Sequence, residues 1–116
     1  METQQRDLEA RLAADGWRIT ARERGAHWWL GELWCLQSDW HPLGLTAWVS
    51  FLVDPSHDGV RRSGEHVWAV AITATRPDER ENAAPTELIR RRWSESAQRL
   101  LDRARAIRDE ATGRGR

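Results

Sequence analysis

The sequence contains one cysteine, no lysine and no apolar run long enough to cross a bilayer. A lone cysteine excludes an intrachain disulfide, and Cys35 sits among apolar neighbours, so a reducing, cytoplasmic setting is expected. Without lysine all 18 cations are arginine. Because they occur throughout the chain, codon bias accounts for them more simply than a demand for planar cations that stack on rings. Met1 to Arg11 alternates polar and charged residues, and nothing approaches the roughly 20 apolar residues of a span, so neither signal peptide nor membrane anchor is expected.

An excess of either charge sign is also missing. Eighteen acids balance the arginines, which argues against a protein that neutralises many phosphates, since nonspecific nucleic-acid affinity comes mainly from surplus cations. The distribution is uneven: residues 1–84 hold nine arginines against thirteen acids, and residues 85–116 hold nine against five. Opposite-signed halves suit internal pairing or antiparallel self-association.

What is present is tryptophan, eight in 116 residues, set in a pattern of strands between two helices. Thr3 is placed to cap a first helix with Leu8 and Leu12 on one face, and Gly16 to end it in a left-handed conformation, with Trp17 folding back toward Leu12. Residues 17–24 alternate as a half-buried strand, and Gly25 marks a turn. His27 to Gln37 is apolar on both parities. Leu45 to Val53 has a continuous apolar side at odd positions, and Val67 to Thr75 is a β-branched strand. A last helix is expected from Thr86 to Ala111, with Ile89, Trp93, Ala97, Leu100, Ala104, Ile107 and Ala111 on one stripe. The expected fold is α+β: a four-stranded antiparallel meander with an N-terminal and a long C-terminal helix on one face, order α-β-β-β-β-α. One domain spans 1–112, with 113–116 a frayed tail.

A two-residue loop at Gly25 puts Trp17, Ile19, Ala21, Trp28, Leu30 and Trp34 on the helix side. The other side receives Arg18, Arg22, Trp29, Leu33 and Cys35, joined by Trp48 and Leu52. With both helices on the first side, this second face is expected to need a cover from outside the chain. The opposing reading is that the sheet curls, or that the long loop of 54–65 folds over it. Glu32 interrupts the core stripe, where a carboxylate is costly unless paired. It is either a ligand-binding polar anchor or general base, or an acid with an internal partner such as an arginine from either helix, or one set at the sheet margin.

Tests for chemistry return little. His27, His41, His57 and His66 share no metal-ligand spacing, and Asp54 to Gly59 lacks the alternating acids and closing glutamate of a calcium loop. Cys35 reads as a core cysteine rather than a nucleophile. No GxSxG, phosphate loop or dinucleotide fingerprint occurs. Arg90, Arg91 and Arg92 at the start of the last helix read as a solvated face paired with acids, although a phosphate contact is the alternative and the helix dipole disfavours cations there. No catalytic residue, metal or cofactor is expected.

Three functions follow in order. The first is a non-catalytic protein-interaction module, either a homodimer or an adaptor, chaperone-like or immunity-type protein. It would bind through Trp29, Trp48, Arg18, Arg22, Leu33 and Leu52, a mixture of aromatics and guanidinium groups favoured at the centres of protein interfaces. The second is a small-molecule binder or enzyme with a tryptophan-walled pocket anchored by Glu32 or an arginine. The third is a single-stranded nucleic-acid binder that stacks bases on the sheet, against which the charge balance stands.

Overall fold

The computed structural model describes residues 2–27, 29–39, 44–53, 67–79, 82, 87–88 and 92–112. Helix α1 (Glu2–Ala14) leads into strands β1 (Trp17–His27), β2 (Leu30–Ser38), β3 (Thr46–Val53) and β4 (Val67–Thr73). A two-residue strand, β5 (Glu87–Leu88), and helix α2 (Trp93–Thr112) complete the order. The strands form one antiparallel sheet in the sequential order β1-β2-β3-β4-β5. The α-β-β-β-β-α architecture read from the sequence is therefore present, extended by a short fifth strand.

Helix α1 buries Leu8 and Leu12, four residues apart on one face. It stops at Gly16, whose φ of 88° places it in the left-handed region that glycine enters without penalty. The amide of Gly16 donates to the Ala13 carbonyl, satisfying one of the helix's terminal acceptors. The helix already begins at Glu2, so Thr3 lies inside the first turn instead of capping it.

The main core lies between the helices and one face of the sheet. Trp17, Trp34, Leu36, Val49, Phe51, Val70 and Ile72 meet Leu8 and Leu12 of α1 and Leu100, Ala104 and Ile107 of α2. Trp34 and Phe51 pack edge to face with ring centroids 4.7 Å apart, an arrangement that aligns one ring's positive edge with the other's negative face. The two helices are tied to each other at both ends. Asp15 faces Arg105 and Arg108 of α2, and the Trp93 indole Nε1 donates to the Asp7 carboxylate at 2.7 Å.

Two sequence expectations change here. The first turn of the sheet lies between His27 and Leu30, not at Gly25. β1 runs through Gly25, where the register shifts between Arg24 and His27, so the glycine sits in a bulge that bends the strand without ending it. The last helix begins at Trp93 rather than Thr86. Glu87 and Leu88 pair instead with Val70 and Ala69, supplying backbone partners to the edge of β4, and Arg92 has a φ of 40°, outside helical geometry. Trp93, Ala97, Leu100, Ala104 and Ile107 keep the expected stripe, whereas Ala111 is exposed. Ile89, Arg90, Arg91, the Asp54 to Gly59 loop, His41, His57, His66, Trp28 and the 113–116 tail lie outside the described residues.

Candidate interaction face

The side of the sheet opposite the helices is built by alternation and then edited by bulges. On β3, Ala47, Val49 and Phe51 point to the helices, so Trp48, Ser50 and Leu52 point away. Across the ladder Trp48 stands opposite Cys35 and Thr73, Ser50 opposite Leu33 and Ala71, and Leu52 opposite Leu30 and Ala69. On β1 the pairing shifts between Ile19 and Ala21, so Thr20 is an extra residue and every side chain after it changes face. A second shift at Gly31 carries Leu30 across in the same way.

These bulges decide where the expected site residues go. Arg18 lies on the far face, exposed, within hydrogen-bonding distance of Gln37 and 3.6 Å from Asp39. Arg22 does not join it. The Thr20 bulge rotates Arg22 to the helix side, where its guanidinium lies 4.9 Å from the centre of the Trp34 ring and 2.7 Å from Glu9 of α1. Ala21 moves the opposite way, to pair with Cys35. Leu30, expected in the main core, packs instead with Trp29, Leu33, Leu52 and Ala71 in a second apolar cluster on the far face, with Trp48 at its margin.

That second cluster is not bare. Trp29 is 5% exposed, Leu33 1% and Leu52 4%, so the expectation that this face lacks any cover within the chain does not hold for these three residues. The sheet's own bending contributes. Bulges in β1, in β2 at Gly31 and between β3 and β4 increase the local twist. The amide of Val53 donates to the Trp29 carbonyl at 3.0 Å, drawing the β1–β2 turn against the end of β3. Gly31 permits this approach, since a Cβ there would stand 3.1 Å from a Val53 methyl group.

Among the described residues, Trp48 is the large aromatic of this face that stays half-buried. Its neighbour is a residue the sequence reading did not single out. Arg76, three residues past β4, reaches across β3 and β2 to Glu23 on β1, with guanidinium–carboxylate distances of 2.5 and 2.8 Å. On the way its guanidinium covers the Trp48 ring at 5.4 Å from the centroid. Hydrogen bonding to Glu23 holds the Arg76 guanidinium above its ordinary pKa, with a smaller contribution from Cys35 nearby. Glu23 faces this way only because of the Thr20 bulge, and Arg76 lies beyond the end of the alternating pattern. Neither residue carries a periodic signal in the sequence.

Glu32 has internal partners. It is 8% exposed, accepts a hydrogen bond from the Trp34 indole, and accepts another from Arg24 Nε at 3.1 Å, its cross-strand neighbour. The acid thus has internal partners, although its arginine comes from β1 and not from either helix. Cys35 is half-buried opposite Trp48. Among the described residues no cluster of three or more histidine, cysteine, aspartate or glutamate side chains is placed to hold a metal ion, and no helix is long and apolar enough to cross a membrane.

Comparison of the chain with protein-family models, with curated proteins and with solved structures finds no match. The reading of function therefore rests on this face.

Proposed function

We propose that this chain is a non-catalytic protein-interaction module, and that its simplest partner is a second copy of itself, joined across the Trp48-bearing side of the sheet. The observation that carries the reading is Trp48: a half-buried indole on the face whose described apolar cluster takes no residue from either helix, with the guanidinium of Arg76, bonded to Glu23, over its ring. Partly exposed tryptophan beside arginine is the composition of interface centres, because the ring supplies area at low entropic cost and the guanidinium supplies directional bonds. Trp29, Leu33 and Leu52 then serve as a rigid floor beneath the contact, not as the contact itself.

Sedimentation equilibrium over a wide concentration range tests this. The expected result is reversible dimerisation in the wild type that is weakened at least tenfold in Trp48→Ala. A wild-type protein that stays monomeric at the highest concentration and retains no protein partner would refute the reading.

A further inference from the structure

We draw no further inference here: the strongest candidate, the cross-strand row of Leu33, Ser50 and Ala71 on the far face of the sheet, where the fully buried Ser50 hydroxyl has no hydrogen-bond partner among the described residues, carries nothing because nothing in the structure shows what covers it.

Discussion

Arg22 stacks on Trp34 under the cover of helix α1, although simple alternation along β1 sends it to the opposite side of the sheet. The guanidinium lies 4.9 Å from the ring centre, and Glu9 holds it from the helix at 2.7 Å. A single extra residue, Thr20, causes the reversal. Because Arg22 and Glu9 are each more than 40% exposed, solvent screens the pair, and a double-mutant cycle of Arg22→Ala with Glu9→Ala should give a coupling energy under about 1 kcal/mol. Urea denaturation of the four proteins measures it. A coupling well above about 1 kcal/mol would mean that solvent does not screen the pair.

Asp7 and Trp93 link the first helix to the start of the last. The indole hydrogen bond, with Arg11 adding to it, holds the Asp7 carboxyl below its ordinary pKa of 3.8. A lowered carboxyl stabilises the folded state above the unfolded pKa, and that contribution disappears as pH falls through the folded value. The stability of the wild type should therefore drop more steeply below about pH 4 than that of Asp7→Asn, with the two curves separated at neutral pH. Thermal melts from pH 2 to 7 check this, and parallel curves would contradict it.

Ser50 sits fully buried between Leu33 and Ala71, and its hydroxyl has no hydrogen-bond partner among the described residues. An unsatisfied buried hydroxyl costs roughly 1 to 3 kcal/mol, while the alanine that replaces it leaves only a small void. Ser50→Ala should raise stability by about 1 kcal/mol. A loss of stability on the same substitution would mean that the hydroxyl is bonded.

Glu32 and Trp34 form an asymmetric pair. Trp34→Phe removes the indole donor but leaves the nearly buried carboxylate in place, so it should cost about 2 to 3 kcal/mol. Adding Glu32→Leu to that variant should recover part of the loss, because the nearly buried acid, left with Arg24 but without its indole donor, is then gone. Chemical denaturation distinguishes recovery from additive losses.

The parts of the fold readable in the sequence are those governed by unbroken periodicity. Leu8 and Leu12, Ala47, Val49 and Phe51 of β3, and the Trp93 to Ile107 stripe all lie where spacing puts them. The misplaced residues cluster at interruptions that leave no compositional mark. Thr20 is an ordinary strand residue that happens to be the bulge, and it alone exchanges Arg22 for Ala21 and brings Glu23 onto the far face. Gly25 looks like a turn residue and acts as a bend within β1. Ile89 fits the helical stripe by spacing, yet the neighbouring Glu87 and Leu88 pair with β4. The candidate site was legible in Trp48, fixed by β3 alone, and in Arg18. The Glu23–Arg76 pair depends on a contact between residues 53 apart, which no local pattern encodes.

Fluorine NMR of protein carrying 5-fluorotryptophan tests the central claim most directly, with the Trp48 resonance assigned by Trp48→Phe. If this face joins two copies, that resonance should shift or broaden as concentration rises from micromolar to millimolar while the resonance of buried Trp34 stays fixed. A Trp48 resonance as constant as that of Trp34 over the whole range would contradict self-association through this side of the sheet.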